Sequence, residues 1–462
     1  MSDRLKEAVA FFREDAGYER LFAGLIEKYR SLGRLGGTVR LNQLTSREQE
    51  VLSAFFRKDY HSCDAATISV REMAEALQRT RFAGIDLKAL LDAYAGEVIL
   101  SKAEEARLYE YRKEQYFIGL KDKFCHPYCC LWLDSILHKE LGTRGVHRAY
   151  DQDPDELYPV LIAVLRALEQ VPLQTHATSG RRSDRLTYER LPVFASRIAG
   201  DPHAFDMGKD AGRFLVSALQ AVRARQEAGY EILSSPSAEE VAELLGYFGL
   251  VRDDLLNFVT CAGILGSQSA DEGPHPLWQA AWEAGNVLNV PLREVAKLDA
   301  CWPGKWLPEN RKHNVVFVVE NSGVFSAILD AFTATRPLPP LVCTHGQFTL
   351  AALLLLDKLA ESSTLLYSGD FDPEGLQMAQ RLLQRYQGRV RLWRYSRQDY
   401  QLSLSEVGIS QQRLNKLGSI QAPALLPVAK SIRHRGRAGY QEALVDRLIR
   451  DIKDLHQLYP SV

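Results

Sequence analysis

Three carboxylates follow two strand-like segments in the C-terminal third of the sequence. Glu320 comes directly after residues 315–319, and Asp370 and Asp372 come shortly after residues 365–368. Side chains two residues apart in an extended segment point to the same side, so the two aspartates are expected to act together. Three converging carboxylates repel each other unless a cation is bound, and oxygen ligands suit Mg²⁺ or Mn²⁺. The pattern predicts a catalytic metal site, and such metals can orient a water nucleophile and stabilise the leaving oxygen of a phosphodiester.

The elements around these acids read as alternating strands and helices from His313 onward. The predicted strands are 315–319, 341–344, 365–368 and 390–395, and the predicted helices are 323–332, 348–360 and 375–386. This alternation is typical of a parallel, doubly wound α/β sheet. Functional groups in such a sheet lie just beyond the carboxyl ends of the strands. We therefore expect the three acids to meet at one edge of the sheet.

Four further residues in the C-terminal third of the sequence are candidates for the same site. Glu374 falls in the first turn of the next helix, where it favours the helix dipole and is also a candidate metal ligand. Glu442, in a predicted amphipathic C-terminal helix, is either an additional acid or a solvated helix residue. His345 and Gln347 follow the second strand, where we predict DNA contact. His345 can touch a phosphate or carry a proton, and a loop histidine with no role is the alternative.

Charge is distributed unevenly along the chain. The formal net charge is −1, but residues 376–450 contain 14 Lys plus Arg and 4 Asp plus Glu, a local balance of +10 against −11 elsewhere. This indicates either a basic face for a polyanion or helix faces balanced by acidic neighbours in the fold. The densest run is predicted to contact DNA phosphates; it comprises Lys430, Arg433, His434, Arg435 and Arg437. A weaker basic cluster is Arg181, Arg182 and Arg185.

Composition is that of a soluble globular protein of several domains, with 462 residues, 46% hydrophobic and 25% charged. We find no secretory signal and no apolar run long enough for a membrane span, so we expect a cytoplasmic protein with reduced thiols. The run from Cys125 to Cys130 invites a zinc interpretation, but no second ligand pair follows it nearby. Buried small thiols are the ordinary interpretation.

The N-terminal part is dominated by helical periodicity. Thr45 and Glu48 form a capping-box pattern that predicts a helix from about Ser46, and further helices are predicted from Ser69 and from Asp86. Short helices joined by tight turns are typical of a winged helix-turn-helix, although any small helical bundle gives the same pattern. Residues 150–300 again read as mostly helical.

The acidic motif and several longer segments resemble those of known protein families. Glu320 after one strand and Asp370-Phe371-Asp372 after another, with Gly375 opening a helix, resemble the Toprim domain of topoisomerases and related nucleases. Longer segments are similar to the JetD family, the nuclease subunits of Wadjet anti-plasmid systems. These segments are Val-Val-Glu-Asn at 318–321, Leu-Val-Cys-Thr-His-Gly-Gln at 341–347, Leu-Tyr-Ser-Gly-Asp-Phe-Asp at 366–372, Tyr-Gln-Glu-Ala-Leu at 440–444 and Gly-Asp-Pro-His-Ala-Phe-Asp at 200–206.

The resemblance implies a fold and a role. It implies an α/β protein with a mainly helical N-terminal part: a helical arm with winged-helix elements at 1–150, a mainly helical, winged-helix (CAP-like) region at 151–305, and a Toprim domain, a Rossmann-like parallel sheet, at 306–462. It further implies a homodimer that works with an SMC-like ATPase, a kleisin and a small winged-helix partner. That assembly extrudes loops of circular double-stranded DNA, and the JetD-like subunit cleaves plasmids.

The chain departs from the topoisomerase VI A subunit in its tyrosines. That relative attacks DNA with a tyrosine, and none of the 19 Tyr here stands in a matching pattern. We therefore favour hydrolysis by a metal-activated water. Two rival functions stay open: a haloacid-dehalogenase-like phosphatase that uses the Asp-x-Asp motif, and a winged-helix DNA-binding or scaffold protein without catalysis. Pro373 and Glu374 after the motif count against the phosphatase.

Overall fold

The computed structural model describes residues 2–172, 188–269, 273–306, 314–334 and 337–457. Internal contacts divide the chain into two compact units, Met1–Lys123 and Phe124–Val462. The cluster of Arg181, Arg182 and Arg185 lies outside the described residues.

The first unit is built mainly from helices around a small antiparallel pair of strands. Its elements are α1 (Asp3–Glu14), α2 (Glu19–Leu32), β1 (Thr38–Asn42), α3 (Ser46–Phe56), β2 (Ala65–Ser69), α4 (Val70–Gln78), α5 (Leu87–Ala95) and α6 (Lys102–Lys123), with a 3-10 helix at Ala16–Tyr18. The predicted helix starts are confirmed, because Thr45, Ser69 and Asp86 each cap a helix with the side chain. Its core contains Phe12, Phe22, Leu52 and Leu77.

The second unit begins with a helical region that also contains short strands. Its elements up to residue 306 are α7 (Pro127–Leu137), α8 (Arg144–Gln152), α9 (Pro154–Gln170), β3 (Glu189–Arg190), α10 (Leu191–Ala199), α11 (Asp210–Gln226), α12 (Ala238–Tyr247), β4 (Leu250–Val251), β5 (Phe258–Ala262), β6 (Ile264–Ser267), α13 (Pro276–Ala284), β7 (Leu288–Pro291), α14 (Leu292–Val295) and β8 (Ala300–Pro303). β3 pairs with β4, and β6 pairs with β8.

The rest of the second unit alternates strands and helices, as predicted. Its elements are β9 (Asn314–Val319), α15 (Ser322–Asp330), β10 (Leu341–Cys343), α16 (Leu350–Ala360), β11 (Ser363–Ser368), α17 (Pro373–Arg385), β12 (Val390–Leu392), α18 (Arg397–Ser403), β13 (Leu404–Gly408), α19 (Gln411–Asn415), α20 (Leu426–Arg435), β14 (Arg437–Gly439) and α21 (Val445–Gln457). Two 3-10 helices lie at Lys416–Ser419 and Gln441–Leu444. Glu442 therefore belongs to a 3-10 turn, and the prediction of an amphipathic helix at that residue was wrong. The amphipathic helix, α21, starts three residues later.

A six-stranded mixed sheet forms the centre of this unit, in the order β12-β11-β9-β10-β5-β7. The four strands from β9 to β12 are parallel, which confirms the four predicted strands and their parallel direction, although β12 ends at Leu392, three residues before the predicted end. β5 runs antiparallel to β10, and β7 runs antiparallel to β5. These two strands come from a region read as helical. A mostly apolar segment of five residues such as β5 has no periodicity that separates a buried strand from a helix, so the sequence did not predict these two strands.

Apolar side chains from the sheet and its flanking helices form one core. It includes Val316 and Val318 of β9, Leu355 of α16 and Leu376 of α17, all fully buried. Among the helices of the described residues, none combines the length and the apolarity that a membrane span requires.

Candidate functional site

Parallel pairing brings three strand ends to the same edge of the sheet. β9 lies between β10 and β11, with Val319 in register with Cys343 on one side and with Ser368 on the other. The residues that follow these strands therefore start side by side. Gly346 N–H donates to the Glu320 carbonyl at 3.0 Å, which ties the loop after β10 to the end of β9.

Glu320 is a buried carboxylate at this edge, with 8% of its surface exposed. Its Oε2 accepts hydrogen bonds from the Asp370 backbone N–H at 3.1 Å and from the Tyr367 hydroxyl at 3.3 Å. Burial, followed by the negative charge of Asp370, raises the pKa of Glu320 to about 8. A Cβ at Gly369 would collide with Glu320 Oε2 and with the Tyr367 hydroxyl, so this loop needs glycine for close approach.

Asp370 is held at the same edge by two long-range contacts. Its Oδ1 accepts from the Gln441 backbone N–H at 2.8 Å, and the Tyr395 hydroxyl donates to its carbonyl at 2.5 Å. Burial raises the pKa of Asp370 to about 6; the Gln441 N–H opposes this rise, and the negative charge of Glu442 adds to it. Glu442 is thus close enough to act on Asp370 electrostatically.

Asp372 and Glu374 share an arginine. Asp372 Oδ1 caps α17 by accepting from Gly375 N–H at 2.7 Å, and its Oδ2 accepts from Arg413 Nη2 at 2.5 Å. Glu374 accepts from Arg413 Nη2 at 2.7 Å and from Lys416 Nζ at 2.9 Å. Burial acts to raise the pKa of Glu374, but the hydrogen bonds from Arg413 and Lys416 lower it to about 2.

Asn321 and Gln441 connect the end of β9 to the 3-10 helix that carries Glu442. The sequence analysis did not predict a role for either residue. Asn321 Nδ2 donates to Glu442, and Asn321 N–H donates to Gln441 Oε1 at 3.3 Å. Gln441 is fully buried, and its Nε2 is one of the buried polar atoms of the described residues without a hydrogen-bond partner. Both residues stand beside acids in the quoted motifs, and this position is the signal that could have identified them.

The loop after β10 positions His345 toward the neighbouring strand β5. His345 Nε2 lies 2.6 Å from Thr260 Oγ1, and that hydroxyl lies 2.6 Å from Asn289 Oδ1. His345 has a φ of +55°, in the left-handed region, and burial lowers its pKa. Gln347, two residues later, is exposed.

The predicted basic run lies on a helix and a strand that lead into the acidic loop. Lys430, Arg433, His434 and Arg435 are exposed on α20, and Arg437 is exposed on β14, paired with Glu406 at 2.9 Å. β14 ends at Gly439, whose backbone exchanges two hydrogen bonds with Phe371, at 2.8 and 3.1 Å. The run is therefore joined through the backbone to the segment that carries Asp370 and Asp372.

The donors at this edge fit a hard divalent cation in type. Glu320, Asp370 and Asp372 offer carboxylate oxygens, and the buried Glu320 carboxylate forms no ion pair with a Lys or Arg of the described residues. Within the described residues, no three His, Cys, Asp or Glu side chains form a converged ligand set. Each acid accepts at least one hydrogen bond from a protein donor, and Asp372 uses both of its oxygens in such contacts.

These features define a protein with an acidic site at the carboxyl edge of a mixed α/β sheet. Residues 35–266, half of the chain, match the family described as "Protein of unknown function N-terminus (DUF3323)", and the chain belongs to that family. Residues 288–452 match the family described as "Protein of unknown function C-terminus (DUF2399)", and this second match contains all the acids of the site. No curated protein matches the chain.

Proposed function

We propose that this protein is a Mg²⁺- or Mn²⁺-dependent endodeoxyribonuclease with a Toprim-type centre. The observation that carries the proposal is the buried carboxylate of Glu320, hydrogen-bonded to the Asp370 backbone at the ends of two adjacent parallel strands. A buried carboxylate without a counter-charge lowers stability, so its presence favours a functional role. The sequence order Glu320, Asp370, Asp372 supports Toprim chemistry by resemblance.

Glu320, Asp370 and Asp372 would hold the cation, with Glu442 as an additional acid. A bound Mg²⁺ or Mn²⁺ would supply water activation and stabilise the leaving oxygen of the phosphodiester. Glu374 has a different part in this proposal, because both of its oxygens are paired with Arg413 or Lys416.

Hydrolysis fits the tyrosines of the site better than tyrosine attack. Tyr367 and Tyr395 are buried and hydrogen-bonded to Glu320 and to the Asp370 backbone. Burial raises the pKa of both phenols well above the usual value, which keeps them neutral and weakly nucleophilic. We infer that these two phenols position the acids and that water is the nucleophile.

Duplex DNA is the proposed substrate. The basic run at 430–437 would bind phosphates beside the acidic loop, and His345 and Gln347 would contact DNA from the loop after β10. The two family matches and the quoted motifs support the JetD-type assignment: a cytoplasmic homodimer with winged-helix and arm regions that cleaves circular plasmid DNA. Its partners in that assignment are an SMC-like ATPase, a kleisin and a small winged-helix subunit.

Purified protein incubated with supercoiled plasmid tests the activity. With Mg²⁺ or Mn²⁺, wild type is expected to linearise plasmid, and Asp370→Ala or Asp372→Ala should lower the rate more than about 100-fold, because losing a ligand costs more than losing its supporting contacts. Asp357→Ala is the matched control, since Asp357 pairs with Arg385 away from the acids. Stopping the reaction in detergent should leave no protein on the DNA.

Four outcomes would contradict parts of this proposal. Wild-type cleavage rates in Asp370→Ala and Asp372→Ala would refute the site. Covalent DNA that is lost on mutating one tyrosine would replace hydrolysis by a topoisomerase-like mechanism. DNA binding without cleavage under any metal would favour the scaffold function, and an aspartyl-phosphate would favour the phosphatase.

A further inference from the structure

We propose that Arg413 receives a DNA phosphate at the acidic site and that Glu374 holds its guanidinium in place for that purpose. This inference rests on the proposed nuclease function and adds to it a residue that binds substrate. Neither residue acts as a metal ligand in this scheme.

The acidic cluster poses an electrostatic problem for DNA. Glu320, Asp370, Asp372 and Glu442 lie at the same edge, and a phosphate that approaches them is repelled. In the part of the chain that the structure describes, the cations paired with the acids of residues 370–374 are Arg413 and Lys416. A phosphate that reaches Asp372 therefore meets two protein cations that are already paired with the acids there.

Glu374 anchors Arg413 without using up its donors. Arg413 Nε lies 3.1 and 3.2 Å from the two Glu374 oxygens, and Nη2 lies 2.7 Å from one of them. Nη1 has no hydrogen-bond partner among the described residues, and the Arg413 side chain is 38% exposed. Lys416 pairs with the same carboxylate, so Arg413, Glu374 and Lys416 together carry a net charge of +1.

Asp372 links this group to metal binding. Its Oδ2 accepts from Arg413 Nη2, so a cation bound by Asp372 would compete with Arg413 for that oxygen. The guanidinium would then lose one acceptor while Glu374 still holds it, which leaves Nη1 and part of Nη2 to donate to a new anion. Arginine suits this exchange because its planar fork binds phosphate through two parallel hydrogen bonds.

The test compares Arg413→Gln with Arg413→Lys and Arg385→Gln. Arg385 is the matched control, because it also bridges two carboxylates, Asp357 and Glu243, but outside the acidic cluster. We expect Arg413→Gln to lower the plasmid cleavage rate about 100-fold, as for loss of one donor to a reacting oxyanion. It should also lower the Mn²⁺ concentration that gives half of the thermal stabilisation, because Asp372 loses a competing partner.

A lower cleavage rate together with a higher metal affinity distinguishes a substrate-binding role of Arg413 from a structural one. Loss of a merely structural contact would not improve metal affinity. Arg413→Lys should recover part of the rate, and Arg385→Gln should leave both readouts at wild-type values. Glu374→Gln should lower the rate less than Arg413→Gln does.

Two results would overturn the inference while leaving the nuclease proposal intact. The first is a wild-type cleavage rate in Arg413→Gln. The second is a faster rate in that variant, which would mean that Arg413 inhibits the enzyme by occupying Asp372. Wild-type protein that neither binds nor cleaves DNA would instead refute the nuclease proposal, and this inference with it.

Discussion

At the residue scale, Glu320 is a buried acid whose carboxylate accepts hydrogen bonds from the surrounding protein. Both hydrogen bonds described for it end on Oε2, from the Asp370 N–H and the Tyr367 hydroxyl. Burial of the charged form costs free energy that these contacts do not fully recover, which is why the pKa rises to about 8. Acids kept at such a cost are typical of sites where function outweighs stability.

Glu320→Gln should therefore stabilise the metal-free protein while abolishing cleavage. The amide keeps one oxygen that can accept both hydrogen bonds, and it carries no charge. We therefore expect the free energy of unfolding to rise by about 1–3 kcal/mol at pH 8. Because the pKa is raised from 4.5 to about 8, wild type loses stability as pH rises through that window. The difference in free energy of unfolding between Glu320→Gln and wild type should be absent below pH 4.5 and reach its full size above pH 8.

Thermal unfolding in EDTA between pH 4.5 and 9 measures this difference. Glu406→Gln is the control, because Glu406 is 88% exposed, and its substitution should change the melting temperature little. A lower melting temperature for Glu320→Gln at pH 8 would show that the carboxylate stabilises the fold.

At the element scale, α20 and β14 join the basic run to the acidic loop. The backbone pairing of Gly439 with Phe371 fixes β14 against the segment that carries Asp370 and Asp372. Exposed arginines on these elements are therefore held at a constant place relative to the acids. This arrangement favours phosphate contact over a solvated helix face, although Glu406 already neutralises Arg437 in part.

Replacing Arg433, Arg435 and Arg437 by Ala should weaken DNA binding irrespective of base sequence. The slope of log affinity against log salt concentration should shrink by about one unit per lost phosphate contact. Arg197, Arg213 and Arg225, exposed arginines on α10 and α11, provide a triple-alanine control with the same change in charge. Equal slopes for the two triple variants would mean that the basic run is a solvated face.

At the scale of the whole molecule, the chain consists of two units with separate cores. The first unit, Met1–Lys123, buries aromatic rings from α1, α2 and α3 against strands β1 and β2. The second unit contains the whole acidic site. Part of the local excess of +10 in its C-terminal part is offset within the same unit: Arg381 pairs with Glu239, and Arg394 pairs with Asp451.

A fragment of residues 1–123 should fold by itself. It has its own core, including the fully buried Phe12 and Phe22, so we expect helical circular dichroism and a cooperative thermal transition. It should not cleave plasmid, because it lacks every acid of the site. A broad, non-cooperative transition would mean that this unit depends on the rest of the chain.

The sequence by itself determined the local elements and the order of the acids. Capping residues such as Thr45 and the alternation of strands and helices after His313 are short-range patterns, so they predicted α3 and the parallel strands β9 to β12 correctly. Parallel strands end at a common edge, which is why Glu320 and Asp370 were expected to meet.

Only the tertiary structure decided which partners those acids have. Arg413 reaches Asp372 across 41 residues, Gln441 reaches Asp370 across 71, and Asn321 reaches Glu442 across 121. No periodicity encodes such contacts, because they depend on how α19 and the 3-10 turn at Gln441–Leu444 pack beside the sheet. The same holds for β5 and β7, whose places in the sheet follow from pairing with distant strands and not from their own short sequences.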